Sequence, residues 1–200
     1  MKKIVLPGDL ISEGDEYTPN TYTEGGKIFS AVAGMCTEDN RVVPLEGSWT
    51  ARTGDIVIGT VTNVGRNGTY EVELEHFMKG MLMDKFGRTT FIAGDVVEAI
   101  VERVENRRTV ILTKPRRLHG GTVIEVKPSK IPRIIGKNNS MIKQISEITK
   151  SNIVAGENGI VWIKGGDTGL AVSAVQEIER SAHISGLTDI IQEMLLNKGN

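Results

Sequence analysis

Gripping phosphate is the chemistry this sequence is best equipped for. Residues 131–142 read Ile131-Pro132-Arg133-Ile134-Ile135-Gly136-Lys137-Asn138-Asn139-Ser140-Met141-Ile142. A short apolar segment ends in a glycine, a polar loop follows, and Met141, Ile142, Ile145 and Ile148 then recur at helical spacing. Glycine lets a backbone turn sharply and lie close to a ligand. Lys137 adds a cation, and the amides that open the next helix add a partial positive charge. The fourth loop position, Asn139, is the residue type that best tolerates left-handed backbone after glycine. The bend is therefore expected to form across Gly136–Asn139, with an asparagine side chain where a phosphate would approach.

Charge follows the same stretch. The net charge of the 200 residues is −1. Yet Arg103 to Lys150 holds 12 Lys+Arg against 3 Asp+Glu, a net of +9, and the rest holds 12 against 22, a net of −10. A basic block around a phosphate-type loop is the footprint of nucleic-acid contact. Within it Arg116, Arg117, Lys130, Arg133, Gly136, Lys137, Asn138, Asn139 and Lys143 are candidate RNA contacts.

Other chemistries lack their residues. His76, His119 and His183 are scattered, and no phosphate-binding P-loop or nucleophile elbow occurs. We expect no catalysis, no metal and no cofactor. The single Cys36 excludes an internal disulfide and points to a reducing, cytoplasmic setting. No apolar run approaches the roughly 20 residues that span a bilayer, and the run after Lys2-Lys3 is too short for a signal peptide.

Three pieces are expected to position these residues. Residues 1–50 read as short strands broken by Pro7-Gly8, Gly14, Gly25-Gly26, Gly34, Pro44 and Gly47. Strands are expected over 27–33 and 41–45, with a turn at Glu38-Asp39-Asn40. The piece is acidic and poor in large apolar side chains, so a thin core and a protein partner are expected.

Residues 51–115 read as a five-stranded barrel. The strands follow Gly54-Asp55, the hairpin signal Asn67-Gly68, the alternating Tyr70/Val72/Leu74 face, Lys79–Met83, Gly94-Asp95 and Thr109–Thr113. Glu71, Glu73 and Glu75 would form its solvent face. Barrel contacts to RNA would then come from Arg66, Lys79, Lys85 and Arg88. Phe77, Phe86 and Phe91 are read as core before stacking platforms. Pro115 is expected to stop the last strand, leaving 114–120 as a basic connector.

Residues 116–200 read as strand, helix, loop, helix, two strands, helix. Asp167 is expected to cap the helix through Leu170, Val172, Val175 and Ile178, Gly186 to break it, and Ile190, Ile191, Met194 and Leu195 to mark a last short helix. Asn158-Gly159 is expected to join the two strands. The Gly-Asp-aliphatic unit at residues 8, 54 and 94 is read as turn chemistry that opens strands.

The Gly136–Asn139 loop between two helices resembles the glycine-x-x-glycine loop of type I KH domains, which clamp about four nucleotides. Residues 54–113 resemble an S1 domain of the OB fold. Together with the opening Leu6-Pro7-Gly8-Asp9 and the signature Gly156-Glu157-Asn158-Gly159 before Ile160-Val161-Trp162-Ile163, the chain resembles the RNA-binding cap subunit of the archaeal exosome, of the ribosomal RNA-processing protein four type. The resemblance makes Gly156, Asn158, Gly159 and Trp162 a structural signature. It implies three caps on a ring of RNase PH-like subunits, with the N-terminal domain docked on the ring and the barrels lining the pore where RNA enters. Single-stranded RNA would be captured and its 3′ end fed to the ring. Other chains that combine these modules are transcription elongation or antitermination factors, usually with two KH copies. Polynucleotide phosphorylases carry them in the reverse order beside a catalytic body. A free-standing RNA binder and a scaffold that binds no RNA are the remaining alternatives.

Overall fold

The structure, a computed structural model, describes residues 3–14, 18, 20–36, 39–44, 47–75, 78–83, 90–106, 108–181, 191, 193 and 194. It comprises two units, residues 1–47 and 48–200.

The first unit contains β1 (Lys3–Val5), β2 (Leu10–Glu13), β3 (Thr21–Glu24), β4 (Lys27–Ser30), β5 (Gly34–Cys36) and β6 (Val42–Pro44). They form two antiparallel sheets, ordered β1-β5-β6 and β2-β4-β3. The strand expected over 27–33 stops at Ser30. The Ser30 hydroxyl donates to the Val32 carbonyl at 2.6 Å, and the Ala31 amide turns to the Asn20 carbonyl at 2.9 Å. These bonds bend the chain before Gly34 starts β5. Val5, Ile28 and Val42 are the fully covered apolar side chains among the described residues, so the core is as thin as expected.

The second unit begins with β7 (Ile56–Val64), β8 (Thr69–Glu73), β9 (Lys79–Met83), β10 (Val96–Asn106) and β11 (Thr109–Leu118). They close into a barrel in the order β10-β11-β9-β8-β7, an OB-type arrangement in which β9 and β11 alone run parallel. Val57, Val61, Val72, Leu82, Val110 and Leu112 fill it. Phe91 joins this core, its ring edge-on to Tyr70 with centroids 5.2 Å apart, so it is no stacking platform. Phe77 and Phe86 lie outside the described residues.

Two details differ from expectation. Asn67-Gly68 does not make a two-residue hairpin. Residues Arg66–Gly68 form a 3-10 turn, and Val64 is the last β7 residue paired with β8, opposite Tyr70. Nor is 114–120 a connector, because β11 continues to Leu118. Glu98 faces Arg116 while Ile100 faces Thr113, so Lys114 and Pro115 together oppose Ala99. This is a bulge, where a strand tolerates proline's missing donor. Lys114 takes φ 51° to make it. Arg116 and Arg117 are therefore barrel residues.

The Gly-Asp units behave as read. At residues 6–9, 52–55 and 92–95 the aspartate amide donates to the carbonyl three residues back, and its carboxylate accepts that residue's amide. The glycines hold φ between 90° and 97°.

The chain then forms β12 (Thr122–Glu125), α1 (Ile131–Ile135), α2 (Ser140–Thr149), β13 (Asn152–Ala155), β14 (Ile160–Lys164) and α3 (Thr168–Ser181). The sheet is antiparallel, ordered β12-β14-β13. This is the type I KH order. Ile131, Ile134, Ile145, Val161, Ile163, Val175 and Ile178 form its core. Asp167 caps α3, its carboxylate accepting the Leu170 amide at 2.9 Å. Ile191 is fully buried in the same core, and Met194 packs against it. Gly186, Ile190 and Leu195 lie outside the described residues.

Candidate nucleic-acid interface

The loop after α1 is shaped by backbone that few residues accept. The Gly136 amide closes α1 on the Pro132 carbonyl, and Gly136 then adopts φ 73°, ψ 171°. A Cβ there would sit 2.7 Å from the Met141 amide nitrogen, so only glycine lets the loop fold against the start of α2. Asn138 (φ 54°) and Asn139 (φ 63°) are both left-handed, so the bend survives without a second glycine.

Asn139 stands at the N-cap of α2, yet no side chain caps this end and no acid occupies the first turn. The Ser140 amide donates to the Lys137 carbonyl, so what this helix end offers an anion is the partial positive charge of an N-terminus without a side-chain cap. Arg133, Lys137 and Lys143 are exposed around them, with no ion-pair partner among the described residues. Gly136, Lys137, Asn138, Asn139, Arg133 and Lys143 are brought together at one end of the helix pair. Lys130 is half-buried just before α1.

The barrel cations fare differently. Lys79 bonds Glu71, and this hydrogen bond, more than any other influence, holds its pKa above the ordinary value. Arg116 pairs with Glu98. Arg117 pairs with Asp95 at 2.7 Å, donates to the Thr90 carbonyl, and lies over the Phe91 ring at 5.2 Å. These groups brace the barrel. Arg66 is exposed on its turn with no ion pair among the described residues. Lys85 and Arg88 lie outside the described residues. Sequence reading missed Lys114, which is exposed and, among the described residues, unpaired. Its signal was Pro115, which forces the bulge that turns Lys114 outward.

The glycine-rich signature has a separate task. β7 pairs with β8 only from Thr60 onward, which leaves hydrogen-bonding groups of Ile56 and Ile58 unused by any strand. The 156–159 loop takes them. The Glu157 amide donates to the Ile56 carbonyl at 2.7 Å. The Ile58 amide donates to Asn158 Oδ1 at 3.1 Å, and Asn158 Nδ2 donates to the Ile58 carbonyl at 2.8 Å. One carboxamide, itself fully buried, stands in for a strand residue and joins the KH domain to the barrel.

Gly156 is dictated by the same contact, and Gly159 by close packing within the KH domain. A Cβ on Gly156 would lie 2.4 Å from Asn158 Oδ1, and one on Gly159 (φ 86°) 2.5 Å from the Val126 carbonyl. Ile58, Leu118, Ile160 and Trp162 close the seam with apolar surface, and Trp162 Nε1 donates to the Gly120 carbonyl at 2.6 Å. At its margin the Glu157 carboxyl is pushed up to about 7, first by desolvation and then by hydrogen bonding to Asp55.

Comparison with known proteins agrees with this geometry. The family described as "Exosome RNA binding protein RRP4 N-terminal domain" matches residues 2–46, and a KH domain family matches 121–169. Exosome complex component Rrp4 of Pyrobaculum aerophilum is 37% identical over 221 residues, covering 98% of this chain and 93% of that protein. The chain belongs to the Rrp4 family. Rrp4 of Methanobrevibacter smithii is 34% identical, over 97% of this chain and 71% of that one. Rrp4 of Pyrococcus furiosus is 33% identical, over 98% and 84%. A crystal structure named provisionally as an exosome complex RNA-binding protein superimposes with a TM-score of 0.64 at 26% identity, covering 76% of this chain and 97% of that one. In this Rrp4-family chain the Gly156–Gly159 signature secures the seam, and the Gly136–Asn139 loop stays open to solvent.

Proposed function

We propose that this chain is a non-catalytic RNA-binding cap component of an exosome. It captures single-stranded RNA and feeds 3′ ends to a ring of RNase PH-like subunits for 3′-to-5′ degradation and processing. Three copies serve each complex, in the cytoplasm, and the ring performs the bond cleavage. The N-terminal unit docks, and the barrel and KH domain take the RNA.

The observation that carries this reading is the Gly136–Asn139 loop. Left-handed backbone, a helix N-terminus without a side-chain cap and the free charges of Arg133, Lys137 and Lys143 converge there. Such a site suits a phosphodiester backbone, and we assign Lys130 and Arg66 as further contacts to the same RNA. Family membership supplies the assembly.

The test is fluorescence anisotropy of the full chain with a labelled single-stranded oligoribonucleotide, across 50–200 mM salt. The double variant Arg133→Glu and Lys137→Glu is expected to bind at least tenfold more weakly. Its log–log salt slope should flatten by about 0.7 per lost phosphate contact. Equal affinity and slope for both proteins would overturn the assignment of the loop.

A further inference from the structure

The outward face of the β2-β4-β3 sheet carries an ordered apolar row. Residues directly opposite in a ladder share one face. Leu10 and Tyr22 both lie opposite Phe29, so three apolar side chains form one row across all three strands. The next row is Glu13, Lys27 and Glu24. The Tyr22 and Phe29 rings stack with centroids 5.5 Å apart and planes 23° apart. On the other face Thr21, Ile28 and Ser30 are buried, so the sheet already has its core side. Leu10 is nevertheless 47% exposed and Tyr22 42%.

Single exposed apolar residues are ordinary, whereas an ordered apolar row with a polar border is the pattern of an interface. Tyrosine is also among the residues that anchor protein interfaces. Charge identifies the occupant. Residues 1–47 carry four Lys+Arg against eight Asp+Glu, a net of −4. A nucleic-acid strand stacked on these rings would bring its phosphates against Glu13 and Glu24. A protein surface with an apolar patch bordered by lysine and arginine meets both rows favourably.

We propose that the Leu10-Phe29-Tyr22 row, with Glu13 and Glu24 beside it, is the face by which the N-terminal unit docks on a basic-rimmed protein surface. This rests on the cap reading, which makes RNase PH-like ring subunits the protein to offer. The exposed Ile4, on β1 of the other sheet, and Leu6 after it provide the comparison.

The experiment reconstitutes the tagged full chain with the RNase PH-like hexamer of the same organism. Ring affinity is read by interferometry, and affinity for a single-stranded oligoribonucleotide by anisotropy. Circular dichroism checks each variant's fold, and the substituted side chains are exposed enough to leave it intact. Leu10→Ser with Tyr22→Ser, and separately Glu13→Lys with Glu24→Lys, are each expected to lose at least tenfold in ring affinity at unchanged RNA affinity. Ile4→Ser with Leu6→Ser should bind as wild type. Ring affinity within twofold of wild type for both test pairs, or lost only in the Ile4/Leu6 pair, would overturn the proposal and leave the cap reading standing. Loss of RNA affinity with the ring retained would make the face a base-stacking platform instead. A wild-type chain that binds RNA but no ring would remove the cap reading and this face's assignment together.

Discussion

Replacing Asn158 by alanine is the sharpest test of how the barrel and the KH domain are held together. Asn158 and Ile58 are both fully buried, and the carboxamide satisfies the Ile58 amide and carbonyl at 3.1 and 2.8 Å. Alanine strands both groups. A buried backbone group left unsatisfied costs about 1–3 kcal/mol. Two on one residue, sharing whatever relaxation the site allows, should cost about 3 kcal/mol. For a unit of this size that is a fall in Tm of roughly 6–12 °C. Aspartate gives the complementary result. It still accepts from the Ile58 amide, but turns a second acceptor toward the Ile58 carbonyl. Burial and that repulsion raise its pKa, so the folded state takes up a proton that the unfolded state releases, and stability is gained as pH falls. Asn158→Asp should therefore be less stable than Asn158→Ala at pH 8, and should recover toward wild type near pH 4 as its carboxyl becomes a donor. Guanidinium unfolding followed by tryptophan emission measures this, because Trp162 sits in the seam and Trp49 against the barrel core. Comparison with wild type at each pH removes other titrating groups. An Asn158→Ala cost below about 0.5 kcal/mol, or an aspartate variant that outlasts alanine at pH 8, would refute the reasoning.

The two neighbouring arginines should behave differently under thermal unfolding. Arg117→Ala removes a pairing with Asp95 and a stack on Phe91 from a side chain only 25% exposed, and should cost about 1–2 kcal/mol. Arg116→Ala removes an exposed pair with Glu98 and should cost under about 0.5 kcal/mol. Glu157 gives the seam a pH dependence. Its folded value of about 7 lies above the ordinary 4.5, so the folded chain holds the extra proton between them and stability rises as pH falls through 7 and levels off below 4.5. Its carboxyl keeps solvent contact, so screening limits the gain to roughly 0.5–1 kcal/mol. Denaturant midpoints at pH 5 and 8 should differ less in Glu157→Gln than in wild type.

Much of the fold was legible because local chemistry and tertiary structure agree. The Gly-Asp turns, the Tyr70-Val72-Leu74 alternation and the Asp167 cap each state their geometry within a few residues. The failures came where one segment's conformation depends on a distant one. Pro115 reads as a strand terminator on its own, but opposite Ala99 it fits a bulge. Arg116 and Arg117 read as free cations, yet Glu98 on β10 and Asp95 in the turn before it claim them. The Asn158-Gly159 hairpin forms as read, but nothing nearby in sequence reveals that Asn158 has Ile58, a hundred residues earlier, as its partner.

That last miss separates the chain's two glycine–asparagine loops. Both use left-handed backbone, and both place polar groups at a bend. Asn158 is fully buried with its amide oxygen and nitrogen both bonded to Ile58, so it is out of a ligand's reach. Asn138 and Asn139 are exposed, and the helix end beside them is uncapped. The same residue types therefore make a buried joint in one loop and an exposed bend in the other, and burial decides between them. A glycine–asparagine pattern alone does not mark a nucleic-acid contact. The two loops differ in exposure and in the cations beside them, and of the two only residues 136–139 are exposed with Arg133, Lys137 and Lys143 alongside, unpaired among the described residues.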